Sequence, residues 1–585
     1  VIKRQQHTVA ASFAAWRFWL IVIVLLAMAA ALIGRLLILQ VIDSDRGAEF
    51  LQSQGDARAV RNEVIPAHRG MIMDRNGEPL AVSTPVASIW VNPKVLKNYP
   101  EKIPELAKAL QIPRDELQKK IKQSSGQFLY VKRLLPPADA EQIVELGIPG
   151  VHMQREYRRF YPAGETVAHL VGYTNIDDEG QEGIELAYDK WLTGKAGSQR
   201  VLKNLKGQTI RDLNEVEPAQ PGRDVILSID MRLQDIAYRE IKAAMQEHNA
   251  AGVSVVLLDV ASGEVLAMVN QPSFNPNNRA TMKPGTSRNR AMTDMFEPGS
   301  TMKAVTAVAA LESGKFTSHT LIDTSPGAIR IADKVFRDPH SYGVLDLAHV
   351  VAKSSQVGTS KIALELDEQK VWETFKRFGF GRSTETGFPG EASGVMPYKK
   401  KWWLTEKVNF TFGYGLSATP LQVAQAYNVF ANDGVFKPVS LLRRNEPVEA
   451  KQVVKPSIIR DVRRMLELVA EEGTAKKAQI PGFRVAGKTG TIHKISASGG
   501  YAEKNYAAWF AGYAPASNPQ VVAVIIVDEP SNGLYKGGAV AAPIFARIMS
   551  GVVRVLGTVP DNLQPVTTIA ENAVLRSTSF GKGPV

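Results

Sequence analysis

Residues 18–34 carry no charged side chain, and their only polar group is the indole N–H of Trp19. Arg35 follows, a residue that can snorkel its guanidinium to an interface. Residues 36–42 then extend the apolar run with one interruption at Gln40. Within hydrocarbon every backbone polar group needs an internal partner, so a single run of this kind can cross a bilayer only as a helix. At about 1.5 Å per residue, residues 18–38 span the roughly 30 Å hydrocarbon core. Lys3, Arg4 and Arg17, with no acid among residues 1–17, hold that end in the cytoplasm. The reading is a cytoplasmic N-terminus at 1–17, a transmembrane anchor at 18–38, and a periplasmic chain beyond residue 43. The competing reading is a cleaved signal peptide with Ala27-Met28-Ala29 as its processing site. The apolar run continues well past that point, which favours an uncleaved, single-pass anchor in the inner membrane. Val1 stands where a start methionine is usual, as a literally translated GTG start or a trimmed chain would leave it.

With 585 residues, 44% of them hydrophobic, the chain can build several domains with large cores. Its net charge of +12 suits an anionic partner, but no nucleic-acid signature and no dense basic tract interleaved with aromatics is read, so nucleic acid is not expected. Cysteine is absent, which excludes disulfides, thiol catalysis and Cys-ligated zinc. The nine histidines are scattered without an H-E-x-x-H, so neither a metal nor another cofactor is expected. His169, among apolar neighbours, reads as a core histidine.

From 44 to 220 the pattern is mixed α+β without a nucleophile paired to a base, which suggests a structural or partner-binding module. Residues 69–81 read as a hairpin in which Asn76-Gly77 supplies the positive φ angles of a tight turn. Helical spacing marks 101–110 and 114–121, and 128–131 reads as a strand. A second domain at 222–560 begins with a strand at 225–229, a helix at 231–247, and strands at 252–259 and 264–269. A mainly helical stretch follows, with helices at 345–359, 371–378, 420–431 and 457–470. Strands return at 483–492, 506–513 and 521–527, before a last helix at 541–556. That order predicts an antiparallel five-stranded sheet assembled from both ends of the domain and flanked by helices. Residues 561–585, without periodicity, are expected to be disordered.

Within that domain, Pro298 and Gly299 break the preceding structure and Ser300 stands where a helix can begin. Ser300 and Lys303 are three apart and share a helical face. A hydroxyl needs a base to become a nucleophile, and a lysine in a dry pocket can lose its proton. N–H groups at a helix start can face a developing oxyanion. At 353–358, Ser354 and Gln356 place a hydroxyl and an amide two residues apart. At 488–491, Lys488, Thr489, Gly490 and Thr491 lie on the predicted strand. They would offer a cation and hydroxyls to a carboxylate, and Gly490 would let an extended peptide approach. The stretch 482–489 also fits the phosphate-loop pattern G-x-x-x-x-G-K-[ST], and 521–529 imitates an ATPase metal strand. Its intervening residues read as strand and no helix follows, so a P-loop ATPase is a remote alternative.

S-x-x-K, S-x-N-like and K-T-G signals in this order make up the active-site set of penicillin-binding proteins and serine β-lactamases. The chain resembles a class B penicillin-binding protein of the septal, FtsI-like type (penicillin-binding protein 3). The resemblance rests on F-E-P-G-S-T-x-K at 296–303, K-S-S-x-V-G at 353–358 and A-G-K-T-G-T at 486–491. It also rests on R-G-x-I-x-D-R-N-G-x-x-L-A at 69–81, R-R-F-Y-P-A-G at 158–164 and F-G-Y-G-L at 412–416. The resemblance implies a pedestal (dimerisation-type) module at 44–220 and a penicillin-binding, β-lactamase-like transpeptidase fold at 222–560. It implies Ser300 as the acylated nucleophile, Lys303 as its base and Ser354 as a proton relay. Gln356, Lys488, Thr489, Gly490 and Thr491 would bind substrate, and the N–H groups of Ser300 and Thr491 would form the oxyanion hole. The substrate would be a peptidoglycan stem peptide, the inhibitors β-lactams bound covalently at Ser300, and the partners an FtsW-type glycosyltransferase and other division proteins. Two positions depart from the family: Gln356 replaces the usual Asn, and Ala304 the usual Pro. Gln356 is expected to alter kinetics or β-lactam preference, and Ala304 only the local helix start. A β-lactamase would need a deacylating base, and Glu391 lacks the partner for it. A catalytically altered division scaffold or β-lactam-binding paralogue is the remaining alternative.

Overall fold

The computed structural model describes residues 15–40, 60–203, 209–495 and 500–562. The expected cytoplasmic residues 1–14 and tail residues 563–585 lie outside the described residues. The apolar run forms one helix, α1 (Ala15–Gln40), whose described side chains are largely exposed, as suits a span meant for lipid.

The chain divides into two compact units: 1–67, 85–156 and 195–220 in the first, and 68–84, 157–194 and 221–585 in the second. The expected pedestal is therefore not one continuous body, since 68–84 and 157–194 group with the second unit. In the first unit Val60–Ile65, Gly197–Lys203 and Thr209–Glu217 form a three-stranded antiparallel sheet. A helical lobe beside it buries Leu106, Leu110, Leu117 and Ile121 against Ile89, Val91 and Val131.

In the second unit, 69–81 forms the expected hairpin with a different turn. Gly77 has φ +89° while Asn76 stays at negative φ. The turn is closed by Asp74, whose Oδ1 accepts from the N–H groups of Asn76 (2.7 Å) and Glu78 (2.8 Å). Just before it, Arg69 donates to Glu185 Oε2 at 2.7 Å and Arg159 to Glu185 Oε1 at 2.6 Å, with Glu185 fully buried. The arginines of the 69–81 and 158–164 motifs thus meet on one carboxylate. His169 is buried and its Nε2 lies 2.9 Å from the Thr286 carbonyl; burial draws its pKa down to about 4, so it is a neutral core residue.

The rest of the second unit is built on a sheet. Helix α2 (Met231–Glu247) is capped by Asp230, whose side chain accepts from Arg232 N–H. Strands β1 (Gly252–Asp259) and β2 (Val265–Gln271) follow. Helices α3 (Lys303–Glu312), α4 (Leu347–Ala352), α5 (Gln356–Glu365), α6 (Leu404–Thr411), α7 (Pro420–Ala431) and α8 (Pro456–Glu471) come next. Strands β3 (Ala486–Ile495), β4 (Tyr501–Ala514) and β5 (Val521–Asp528) and helix α9 (Gly537–Val555) complete it. The sheet order is β2-β1-β5-β4-β3, antiparallel throughout, as the strand order predicts. Every residue of β5 is buried, so both faces of the sheet are covered. Helices α2 and α9 pack together on it, while α7 covers β1 and β5 and packs on α8. Helix α9 is apolar enough to cross a membrane by length and composition, but half of it is buried, which makes it a core helix. Strand β3 ends the sheet, so among the described residues one of its edges has no strand partner.

Candidate active site

Ser300 sits in a 3-10 turn, Gly299–Met302, that runs into α3, and Lys303 is the first residue of that helix. The turn is held from several sides. Gly299, at φ +56°, donates its N–H to the Gly413 carbonyl at 3.1 Å. A Cβ on Gly413 would lie 2.3 Å from the Gly299 oxygen, which explains the first glycine of F-G-Y-G-L. Thr301 Oγ1 donates to the Pro298 carbonyl at 2.7 Å, and the Tyr427 hydroxyl of α7 donates to the Thr301 carbonyl at 2.8 Å. Glu297 accepts from Gly415 N–H at 2.7 Å and from the Tyr501 hydroxyl at 3.2 Å.

The expected helix at 345–359 is broken. Ser354 adopts φ +58° between α4 and α5, a conformation costly for any residue with a Cβ. The break turns two successive carbonyls and a hydroxyl toward Lys303. Its Nζ donates to Ser354 O at 2.7 Å, Ser354 Oγ at 3.2 Å and Ser355 O at 3.3 Å, with the Phe412 ring 5.2 Å away. The lysine is 2% exposed. Burial draws its pKa down to about 7, against an opposing pull from Asp338. The structure thus brings Lys303 and Ser354 within hydrogen-bonding distance. Ser300 shares the turn with Lys303, but among the described residues no hydrogen bond joins them.

Asp338 went unnoticed in the sequence. Its Oδ2 accepts from Ser355 Oγ at 2.6 Å, and its Oδ1 from the N–H groups of Gln356 (2.5 Å) and Val357 (3.3 Å). Ser355 caps α5 by accepting from Gly358 N–H at 2.9 Å. Nothing local marks Asp338 as part of the site; a lone Asp in a loop gives no periodic signal. Gln356, by contrast, holds the helix start through its backbone and leaves its side chain exposed.

On β3, Lys488 is wholly buried and its Nζ donates to the Thr489 carbonyl at 3.3 Å. Burial, and then the neighbouring charge of Lys303, hold its pKa well below the usual lysine value. The Thr489 and Thr474 hydroxyls are 2.7 Å apart, and Thr491 Oγ1 accepts from Gly537 N–H at the start of α9 at 2.9 Å. Each hydroxyl keeps further hydrogen-bonding capacity for a ligand. A Cβ on Gly490 would stand 2.9 Å from the Pro298 oxygen and 3.1 Å from Thr301 Cγ2, so the glycine lets the strand lie against the Ser300 turn. The phosphate-loop alternative fails on topology: Thr489 continues in strand to Ile495 and no helix follows. Glu391 is consumed by its own loop. It accepts from Ser383 Oγ, Thr384 N–H and both donors of Thr386, and these bonds outweigh burial and keep its pKa below the usual value. It is no free base for deacylation.

A serine and a buried lysine on one turn, a second serine on that lysine, and a K-T-G-T edge strand define a serine acyl-transfer domain of the penicillin-binding class. Residues 253–550 match the penicillin-binding protein transpeptidase domain, and 64–227 the penicillin-binding protein dimerisation domain. The peptidoglycan D,D-transpeptidase FtsI of Escherichia coli is 42% identical over 588 residues, covering 99% of this chain and 98% of that protein. A Pseudomonas aeruginosa protein named "Probable peptidoglycan D,D-transpeptidase PbpC" is 44% identical over 558 residues, covering 95% and 98%. The crystal structure of penicillin-binding protein 3 from Mycobacterium tuberculosis in complex with aztreonam superposes with a TM-score of 0.66 at 27% identity, covering 86% of this chain and 100% of that one. The chain belongs to the FtsI-like penicillin-binding proteins.

Proposed function

We propose that this chain is a septal peptidoglycan D,D-transpeptidase that works through a Ser300 acyl-enzyme. The observation that carries the reading is Lys303. It is a buried lysine with a pKa drawn to about 7, bonded to Ser354 and one turn from Ser300. Near neutrality a large fraction is the free amine, able to take the Ser300 proton. Ser300 Oγ then attacks the carbonyl carbon of the penultimate D-Ala of a stem pentapeptide. The oxyanion forms facing the N–H groups of Ser300 and Thr491. The proton held on Lys303 passes through the Ser354 hydroxyl to the departing nitrogen, the C–N bond breaks and terminal D-Ala leaves. An amine of a neighbouring stem attacks the ester, gives its proton back along the same path, and Ser300 recovers its own. Lys488, Thr489 and Thr491 bind the substrate carboxylate, and Gln356 contributes its amide. In a β-lactam the leaving nitrogen stays tethered after ring opening, so the adduct persists.

The α1 helix anchors the chain in the inner membrane with its N-terminus cytoplasmic, and the catalytic unit acts in the periplasm. Its partners are an FtsW-type glycosyltransferase and other division proteins. The test is intact mass of the full chain in detergent after incubation with benzylpenicillin, beside Ser300→Ala. One persistent adduct, lost in the variant, is expected. No adduct on the unaltered chain would overturn the assignment in favour of a non-catalytic scaffold, and rapid turnover would point to a β-lactamase.

A further inference from the structure

The segment Tyr398-Lys399-Lys400-Lys401-Trp402-Trp403-Leu404 sets three consecutive lysines between a tyrosine and two tryptophans. Trp403 is 76% exposed and Tyr398 57%. Large apolar side chains so open to water mark interaction surfaces when they stand together. The segment is braced from beneath. Trp402 packs on Phe410 with ring centres 5.0 Å apart. Tyr398 stands edge-on to Trp372 at 5.0 Å, and Trp372 Nε1 donates to the Pro397 carbonyl at 3.0 Å. The ammonium of Lys376 lies 5.2 Å over the Trp372 ring. Tyr398 and Trp403 are thus exposed rings five residues apart in a segment held by the packing of Trp402 and Trp372. Lys399 is paired with Glu406 at 2.7 Å, while Lys400 and Lys401 have no acidic partner among the described residues.

Position supplies the second argument. Trp403 immediately precedes α6, whose eight residues span about 12 Å and end at Thr411, just before Phe412, the ring beside Lys303. Aromatic platform and reaction centre thus stand at the two ends of one helix.

We propose that Tyr398, Trp403, Lys400 and Lys401 form a second, non-catalytic site for the polymer that carries the substrate. Sugar rings of the glycan would stack their C–H faces on the two aromatic side chains, and the carboxylates of its peptide stems would meet the two lysines. This rests on the transpeptidase reading and deepens it. The site holds the strand while stems enter at Ser300, so it acts on polymeric substrate and leaves a small β-lactam unaffected. The charges of Lys400 and Lys401, unpaired among the described residues, favour this anionic occupant over a neutral surface.

The test is co-sedimentation of the detergent-solubilised full chain with purified peptidoglycan sacculi, after benzylpenicillin has filled the Ser300 site so that covalent capture is excluded. The same samples are weighed for the adduct. Trp403→Ala and the double variant Lys400→Glu, Lys401→Glu are each expected to weaken sedimentation about tenfold, as loss of an aromatic anchor or reversal of paired charges does at an interface. The stoichiometric adduct shows that the protein is folded. An adduct with unchanged sedimentation in both variants overturns the surface and leaves the enzyme. No adduct on the unaltered chain overturns the transpeptidase reading itself. If only the lysine variant weakens binding, and poly-glutamate competes as well as sacculi, the patch is a general anionic contact such as a phospholipid surface and the glycan assignment falls.

Discussion

Lys303 concentrates the chemistry because its surroundings oppose one another. Burial disfavours the ammonium, while three oxygens and the Asp338 carboxylate favour it. The amine form is the base, and it accumulates as pH rises through about 7. The second-order rate of acylation by benzylpenicillin should therefore climb across that range and level off above it. Asp338→Asn removes a charge that raises the Lys303 pKa, so the rising limb should move to lower pH. A limb that stays in place would show that Asp338 acts only by holding α5. Asn can keep those contacts, accepting from Gln356 and Val357 with its oxygen while its amide faces Ser355. Gly490→Ala tests the other side of the turn. Its methyl would meet Pro298 and Thr301 inside van der Waals distance, so a loss of about 1–3 kcal/mol in stability and at least tenfold in acylation is expected. Thermal unfolding and stopped-flow acylation measure the two effects separately.

Among the elements, the break between α4 and α5 does what a continuous helix could not. A helix through 345–359 would keep the Ser354 and Ser355 carbonyls in its own ladder and away from Lys303. Apolar periodicity on both sides of the break made it invisible, since the left-handed residue is a serine and not a glycine. Ser300, Lys303, Ser354 and the K-T-G-T strand were legible, because each motif has a local spacing. Asp338, Tyr427 and the contact of Phe412 with Lys303 were not, because these contacts cross between elements far apart in sequence. Gln356 sits at the first turn of α5 with an exposed side chain, so its length is free to change what it reaches. Gln356→Asn should alter acylation rates unequally across a penicillin, a cephalosporin and a monobactam. Equal rates before and after would show that the added methylene is without consequence.

At the scale of the molecule, the arginine motifs join distant parts of the second unit. Arg69 and Arg159, 90 residues apart, converge on Glu185, and Arg69 also reaches Asp189 at 2.8 Å. All three partners in the core of this cluster are shielded from water. Removing the carboxylate leaves buried Arg159 without its partner and Arg69 with Asp189 alone, so Glu185→Ala should cost about 3–5 kcal/mol, read from urea unfolding. A change below 1 kcal/mol would mean that water enters and solvates the arginines.

By itself the sequence determined the local chemistry and the element order. One apolar run had to be a helix, Pro298-Gly299 had to interrupt the chain before Ser300, and two strands early and three late had to make one antiparallel sheet. These follow from backbone hydrogen bonding and periodicity, which act over a few residues. The tertiary structure alone decided that 68–84 and 157–194 join the second unit, that Gly490 serves the Ser300 turn, and that Lys488 lies wholly buried. Each depends on which surfaces exclude water from one another, and that is settled only when segments tens or hundreds of residues apart pack together.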